Sequence, residues 1–473
     1  MKRNIVSILL GIAIFSTAFG VNDWFSIFYH KNNLQKVNAN NVTDIDSIYY
    51  TLAFEGLTEE GDSIMSPAIN VAVADSIFKL SVDSIGNFKL RENIARIFID
   101  TDSVVDEITD KENYLSAKFR YEAPSGENGS FETIVDIKAR GNNTWYFPKK
   151  PYRLKFDKKQ TFPGLNKAKS FVLLANYLDN SLMKNAVAFR IAQLVGMPFA
   201  NNAVPVEVYL NGTKRGSYML TNKVGINSGS VDIDEEEGVL WEWDTYFDEP
   251  YKFKSKRFSM PVMMKDPDVE ELGSDDRVLT DSYWNFWRAD MELALAKVYA
   301  GKWDEVLDPE QFVKFVLVNN IVHNNEITHP KSTFLYKVRA GEKYCFGPVW
   351  DFDWALGFTQ TNPGLRLATS DRDGYLFFKQ IFETDSFKEL FKKELDNFYN
   401  NKLDTLLSYI DDYSEEIRIS ALEDAELWPM DHQYDWEPAL RHAGHFDDNV
   451  AFIKDFILKR IEAIRADSRW LLY

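Results

Sequence analysis

The order of residue periodicities constrains the fold of this 473-residue chain more than any other feature. Up to about residue 280, short runs with apolar residues at alternate positions dominate, which is typical of strands with one buried face. After that point the periodicity becomes helical, in the stretches 281–300, 309–324, 385–412 and 447–471. A chain that is strand-rich first and helix-rich second predicts an α+β fold with a cleft at the junction.

Composition and charge narrow the class of protein. With 45% hydrophobic residues the chain can bury a large core. Its 54 basic and 72 acidic residues give a net charge of −18, which repels polyanions and argues against nucleic acid as a partner. Because Cys345 is the only cysteine, the chain has no intrachain disulfide and no cysteine-based zinc site. His323 and His329 are six residues apart, a spacing that fits no common zinc motif.

The first twenty residues have the features of an export signal. Lys2 and Arg3 precede a mostly apolar run, and a small-residue cleavage site follows at 18–20. The run is about fifteen residues long, which is short for a membrane span, although an uncleaved membrane anchor is the alternative. We therefore expect an exported protein, located in the periplasm, at the cell surface or outside the cell. The predicted parts are a signal peptide at 1–20, a polar tether at 21–46, a small β-rich region at 47–94 and a main domain at 95–473.

The segment 148–156 is unusually basic for so acidic a chain. Its alternation predicts a strand with aromatic and aliphatic residues on one face and with Arg153 and Lys155 on the other. A solvated strand face is the plain structural interpretation of such residues. The functional interpretation is a clamp for phosphate oxygens, in which lysine acts as a point charge and arginine as a planar fork.

Asp351 and Asp353 stand two residues apart in a tract of bulky apolar residues. In an extended segment their side chains would point to the same side. Paired carboxylates of this kind suit magnesium that also holds a phosphate. The alternative is that both aspartates cap a turn after a buried strand.

A polar loop precedes this tract. A predicted helix ends near His323, Asn324 and Glu326 follow it, and a strand-like run occupies 332–337. A loop with a base, a hairpin and then a metal-binding aspartate is the order in which protein kinases present these groups. Glu326 could accept a hydroxyl proton while the two aspartates hold magnesium. The alternative is that Asn324 and Glu326 only terminate the helix.

Four segments, in order and at compatible spacing, form a combined signature. They are Arg140-Gly-Asn-Asn-Thr-Trp145 with 149–156, Leu174-Ala-Asn-Tyr-Leu-Asp-Asn-Ser181 with Lys184-Asn185, Leu210-Asn-Gly212 with Gly216-Ser-Tyr218, and Trp350-Asp-Phe-Asp353 with Gly357. Together they resemble the spore-coat protein H (CotH) kinase family over roughly residues 95 to 465. Linked motifs are much more specific than any single one.

The resemblance implies an atypical protein-kinase-like bilobal fold, with an antiparallel β-rich N-terminal part and a helix-rich C-terminal part. It implies transfer of the γ-phosphoryl group of ATP, with Mg²⁺, to Ser or Thr of a secreted or surface protein. Asp351 would be the principal metal ligand, Asp353 a second ligand, Glu326 the base and Asn324 a loop stabiliser or metal helper. The expected phosphate contacts are Arg140, Lys150 and Lys155.

Three positions depart from the family pattern. Glu326 stands where the family often has Asp, Ser332 where many relatives have Asn, and Asn222 where relatives often have Glu. The competing hypothesis is therefore a catalytically degenerate surface protein that binds a glycan or a protein in an aromatic-rimmed cleft. A glycoside hydrolase that uses Glu326 and Asp351 is a third hypothesis, but it leaves Asp353 and the basic strand unexplained.

Overall fold

The computed structural model describes residues 94–124, 127–267, 277–358, 362–368, 374–429 and 446–473, together with the backbone of six strands before residue 92. The predicted signal peptide lies outside the described residues. The chain divides into two compact units. One comprises Met1–Arg96, Glu122–Asn128 and Glu415–Ser420, and the other comprises Ile97–Tyr121, Gly129–Ser414 and Ala421–Tyr473.

The N-terminal strands form two small antiparallel sheets. Strands β1 (Trp24–Phe28), β2 (Leu34–Asn38) and β3 (Ala53–Phe54) pair in the order β2-β1-β3. Strands β4 (Ile69–Val73), β5 (Ser76–Val82) and β6 (Phe88–Arg91) pair in sequence order. Within the predicted β-rich region at 47–94, the short β-like runs at 69–73 and 78–82 predict strands, and both strands are confirmed. Strands β1 and β2 lie within the stretch 21–46.

Seven strands of the described chain close into a barrel with the order β10-β11-β13-β12-β7-β8-β9. They are β7 (Ala95–Thr101), β8 (Leu115–Glu122), β9 (Phe131–Ala139), β10 (Tyr152–Gln160), β11 (Ala168–Leu174), β12 (Val204–Leu210) and β13 (Thr213–Asn222). Buried rings of Phe119, Phe162 and Phe171 pack in the barrel core. Alternation predicts an antiparallel sheet here, and closure removes the free edges that an open sheet would expose.

Strand β10 shows the predicted division of faces. Tyr152, Leu154 and Phe156 are buried, whereas Arg153 is partly exposed and Lys155 is exposed. Arg153 pairs with Lys138 of β9, so two cations lie side by side. The outer surface of the barrel is therefore cationic at this point.

The pair Asn211-Gly212 predicts a hairpin turn, which is confirmed. The β12–β13 hairpin turns through Asn211 and Gly212, both with positive φ, as expected of an Asn-Gly hairpin turn.

Asp179 or Asn180 is a candidate cap for a helix predicted from residue 181 to about 195, but the helix begins at Lys184, and Met183 at its N-cap makes no side-chain cap bond. Helix α1 (Lys184–Leu194) connects β11 to β12, and the Asp179 carboxylate accepts the amide of Lys184 at 2.8 Å. This bond satisfies one of the free amides at the helix start.

A second sheet with the order β15-β16-β14-β17-β18 follows the barrel. Its strands are β14 (Val239–Trp243), β15 (Lys252–Lys254), β16 (Pro261–Asp266), β17 (Thr333–Lys337) and β18 (Cys345–Phe346). Aromatic rings fill the core against it, for example Phe312 edge-on to Phe346 at 4.9 Å between ring centroids. Aromatic pairs of this kind stabilise a core beyond their buried area.

The described C-terminal part is helical, which confirms the mixed α+β plan. Its helices are α2 (Arg277–Tyr299), α3 (Pro309–Ile321), α4 (Tyr375–Phe382), α5 (Asp385–Asn401), α6 (Leu403–Leu427) and α7 (Phe446–Ala466). The predicted helix at 385–412 is in fact two helices that meet at Lys402. Helix α4, rich in phenylalanine, is not among the sequence predictions.

Among the described residues, none of the helices combines the length and the apolar composition that crossing a bilayer requires.

Candidate active site

A cavity of about 340 Å³ lies between the outer face of the barrel and the second sheet. On the barrel side it is lined by residues of β9, β10 and β11 and by the segment after β13. On the other side it is lined by β14, β16 and β17 and by the loops near Glu326 and Asp351. Its volume falls in the range of small-molecule pockets, and its walls carry both cations and carboxylates.

The barrel wall of the cavity is cationic, with Lys138, Arg140, Arg153 and Lys223 among its lining residues. The Arg153 Nε atom is buried without a hydrogen-bond partner. Burial, with repulsion from Arg153 and Lys265, lowers the pKa of Lys223 to about 8. Buried cations that lack compensating partners are costly, so this wall favours an anionic ligand.

The opposite wall is acidic, with Glu326, Asp351 and Asp353 among its lining residues. Burial and repulsion from Asp351 raise the pKa of Glu326 to about 8. The same two causes raise the pKa of Asp353 to about 7. Burial raises the pKa of Asp351, although Arg140 and Lys331 oppose the shift. A cation would relieve this mutual repulsion.

The donor set fits magnesium better than a metal that needs an all-protein cage. The described part of the chain contains no group of three or more His, Cys, Asp and Glu side chains placed to hold a metal ion. Magnesium is usually held by one or two carboxylates and by substrate phosphates, with water in the remaining positions. Asp351 and Asp353 beside a cationic wall provide that combination.

Asp353 is oriented by the start of helix α1. Asn185 donates from Nδ2 to Asp353 Oδ1 at 2.6 Å and accepts the amide of Phe352 at 2.9 Å. Asn176 accepts a weaker bond from the same Nδ2 atom at 3.3 Å. Asn185 is 1% exposed, so this network is shielded from water. Two separate segments of the sequence signature therefore meet at the acidic wall.

The backbone of the acidic tract differs from the expected extended conformation. Strand β18 ends at Phe346, and Asp351 has a left-handed backbone with φ of +64°. A hydrogen bond from the backbone of Asp353 opposes the rise that burial causes in the pKa of Asp351. Aspartate tolerates this conformation in turns, where its side chain can accept a backbone amide. The extended geometry was thus wrong, although both aspartates line the cavity.

The structure gathers some of the predicted site residues and not others. Those that line the cavity are Arg140, Glu326, Asp351 and Asp353. Lys150 lies outside the lining and donates to the carbonyl oxygens of Trp145 and Phe147, at 2.8 Å each. Lys155 is exposed on the barrel surface, 5.9 Å from the ring centroid of Tyr114. The geometry therefore does not bring these two lysines to the ligand position.

Asn324 acts on the neighbouring loop. Its Oδ1 atom accepts the amide of Glu326 at 3.2 Å, and its Nδ2 atom donates to Asn319 at 3.1 Å. Asn324 is 5% exposed and lies outside the cavity lining. This arrangement suits a loop stabiliser and not a metal ligand.

Lys149 belongs to the same basic segment as Lys150 and Lys155, but its contacts give it a structural role. Its ammonium group is fully buried and lies 2.7 Å from the Asp424 carboxylate of helix α6. It also donates to the carbonyl oxygen of Ser217 at 2.5 Å. The pair joins helix α6 to the barrel, so Lys149 is not available to a ligand.

Among the cavity-lining residues that sequence reasoning missed are Lys223, Lys331 and Asp244. Lys223 follows β13 directly and lies near Arg153 of β10, because β11 pairs with both β10 and β13. Lys331 approaches Glu326, with 3.7 Å between Nζ and Oε1. The one sequence signal for Lys331 is that it is a basic residue close to the predicted catalytic loop.

The cavity also contains a lysine–glutamate pair that the sequence did not indicate. Lys265 of β16 lies 2.9 Å from Glu242 of β14 and 2.6 Å from Glu249. Asn222, at the position where relatives often have Glu, instead donates to the carbonyl oxygen of Asn166. The cavity therefore contains a lysine that is paired with glutamate and does not involve position 222.

The family model described as CotH kinase protein matches residues 137–464, which is more than half of the chain. The chain therefore belongs to the CotH kinase family. The matched region begins in β9 and ends in α7, so it contains both walls of the cavity. A search among curated proteins finds no match for this chain.

Proposed function

We propose that this CotH family member is an exported atypical kinase that transfers the γ-phosphoryl group of ATP to Ser or Thr of a secreted or surface protein. Membership of the family supports a kinase-like activity. The observation that carries the proposal is one cavity with cations that repel one another on one wall and carboxylates that repel one another on the other. In this proposal the barrel and the helix-rich part take the places of the two kinase lobes.

The cationic wall would bind the phosphates. Arg140, Arg153 and Lys223 offer positive charge in a desolvated site, where it acts more strongly than in water. Arginine can engage two phosphate oxygens with its planar fork, and lysine adds a point charge. Binding would also relieve the repulsion among these cations.

On the acidic wall, magnesium held by Asp351 and Asp353 would neutralise charge on the transferring phosphoryl group. Glu326 would accept the proton of the acceptor hydroxyl, and burial, which raises the pKa of this carboxyl, makes its ionised form a stronger base than an ordinary carboxylate. The hydroxyl oxygen forms a bond to the γ-phosphorus while the bond to the β–γ bridging oxygen breaks. ADP then leaves, and the proton remains on Glu326.

Magnesium-dependent ATP binding and transfer by the full chain test this proposal, with Asp351→Asn as the variant. We expect Asp351→Asn to reduce transfer by about 100-fold or more, since it removes charge from the acidic wall. The matched control is Asp157→Asn, because Asp157 is exposed on β10 and lies outside the cavity lining. A chain that binds no nucleotide would contradict the proposal.

A second candidate is a non-catalytic member that binds a glycan. Tyr146 is 75% exposed and Tyr246, which lines the cavity, is 42% exposed, so aromatic surface is available near the mouth. Exposed aromatic rings with a polar edge favour ligands that are partly apolar and partly polar. Calorimetric titration with oligosaccharides distinguishes the two candidates, since this one requires sugar binding that persists in Asp351→Asn.

A further inference from the structure

Asp244 is a buried carboxylate that lines the cavity and follows β14 directly. Its Oδ1 atom accepts the amide of Tyr246 at 2.8 Å. Its Oδ2 atom accepts the amide of Ser332 at 2.9 Å. Both carboxylate oxygens are thus engaged by backbone amides, and one side chain joins two loops that are far apart in sequence.

The loop at Ser332 places a cation beside the acidic wall. Lys331 Nζ is 3.7 Å from Glu326 Oε1, and it lies 5.1 Å from the ring centroids of both Tyr246 and Trp354. This arrangement is a cation held between two aromatic faces. Because Lys331 immediately precedes Ser332, the bond from Ser332 to Asp244 sets the position of the cation.

The loop at Tyr246 reaches the barrel side of the cavity. The Tyr246 hydroxyl donates to Asn143 Oδ1 at 3.0 Å, and both residues line the cavity. The amide of Thr245 also donates to the carbonyl oxygen of Pro330 at 2.9 Å, so the two loops are tied to each other. A displacement of either loop would therefore move groups on both sides of the cavity.

We propose that Asp244 is a positioning residue, which fixes Lys331 beside Glu326 and Tyr246 beside Asn143. Removing the carboxylate would leave two loop amides without their acceptor. Both carboxylate oxygens of Asp244 already accept backbone amides, so we assign the metal to Asp351 and Asp353 and not to Asp244. The kinetic consequence rests on the proposed kinase activity, because misplacement by about 1 Å can lower a rate about 100-fold.

The test compares three variants of the full chain. Asp244→Ala removes both acceptor oxygens, whereas Asp244→Asn keeps one carbonyl oxygen in the same shape. The control is Asp234→Ala, because Asp234 is exposed before the other end of β14 and accepts the amides of Glu236 and Glu237 at 2.8 and 3.2 Å. The readouts are amide hydrogen exchange without ligand, ATP binding with magnesium, and phosphoryl transfer.

In Asp244→Ala we expect the peptide that contains Ser332 to exchange about tenfold faster, since its amide loses its acceptor. We expect kcat to fall about 100-fold while KM for ATP changes by less than about threefold. Asp244→Asn should recover at least part of both losses, and Asp234→Ala should show neither. A large change in kcat with a small change in KM distinguishes a positioning role from general destabilisation of the protein. Melting curves measure that destabilisation.

Unchanged exchange at Ser332 in Asp244→Ala would overturn the inference, as would equal losses in Asp234→Ala. If Asp244→Ala does not fold, Asp244→Asn is the variant that tests the inference. Hydrogen exchange at Ser332 and a kcat that both equal those of the wild type would then overturn the inference. If the wild type transfers no phosphate, the proposed function fails. If the Ser332 amide nevertheless loses protection from exchange in Asp244→Ala, the positional role of Asp244 is still supported.

Discussion

The two walls of the cavity are built in different ways. On the barrel wall, regular strands set the side-chain directions, so Lys138 and Arg153 lie side by side through the register of β9 and β10. On the acidic wall, loops with positive φ at Asp351 and Ser332 present the groups. Hydrogen-bonded side chains such as Asn185 hold these loops in place. The contrast predicts local, independent effects on the first wall and cooperative effects on the second.

The largest effect should follow a change in the network behind the acidic wall. Asn185→Ala removes both bonds that hold the 352–353 segment and leaves the buried Asp353 carboxylate without its amide donor. We expect transfer to fall about 100-fold and the free energy of unfolding to fall by roughly 1–3 kcal/mol. Kinetic assays and chemical denaturation measure the two losses.

The control for this change is Asn401→Ala, because Asn401 is exposed and its side-chain amide donates to Asn397 within helix α5. If Asn185→Ala transfers phosphate at nearly the normal rate while Asp351→Asn shows a clear loss, the acidic wall does not depend on the hydrogen bonds of Asn185. The proposed difference between the walls would then be wrong.

The stability of the folded chain should also depend on pH through His323, which precedes the loop that carries Glu326. Burial and the nearby Arg460 lower the pKa of His323 to about 4, so this residue is neutral in the folded protein at pH 7. The unfolded chain takes up this proton below about pH 6.5 and the folded chain only below about pH 4. Stability contributed by His323 is therefore complete above about pH 6.5 and is lost as the pH falls toward 4, with roughly 2 kcal/mol lost at pH 5.

His323→Asn tests this expectation, because Asn also tolerates the left-handed backbone of residue 323, where φ is +51°. The variant should lose less stability than the wild type between pH 7 and pH 5 when both are unfolded by urea. Parallel curves for the two proteins would show that His323 does not cause the pH dependence.

The smallest effect should come from single cations of the barrel wall. Arg153→Met and Lys223→Met should each raise KM for ATP about tenfold while kcat stays nearly constant, since each removes one charge from the binding surface. Lys155→Met, on the same strand as Arg153 but outside the cavity lining, is the matched control. A larger effect of Lys155→Met than of Arg153→Met would reverse the assignment of the phosphate contacts.

Double variants test the same difference between the two walls, because they show whether the effects of single changes combine independently. The double variant Lys138→Met with Lys223→Met should show roughly the product of the two single changes in KM, because neither cation is among the groups that shift the pKa of the other. Asp244→Ala combined with Asn185→Ala should fall short of the product of the single changes in kcat, because both act on one wall. Equal behaviour of the two pairs would contradict the distinction between the walls.

Local features of the fold could be predicted because they depend on neighbours in sequence. The faces of β10 and the Asn-Gly hairpin follow from alternation and turn chemistry. The expected extended backbone at Asp351 was wrong, because a short turn at the end of a buried segment gives the same apolar pattern as a strand. Helix α4 went unrecognised because eight residues show little more than two helical turns.

The sequence by itself determined the α+β order, the cationic outer face of β10 and the acidic groups at 326, 351 and 353, since these need only residue type and periodicity. Tertiary structure alone decided which cations face those acids. The strand order of the barrel and the packing of the second sheet bring Lys223, Lys331 and Asp244 to one cavity, while Lys150 and Lys155 lie outside its lining. The physical reason is that strand order and long-range pairing depend on the packing of the whole core, which no local pattern encodes.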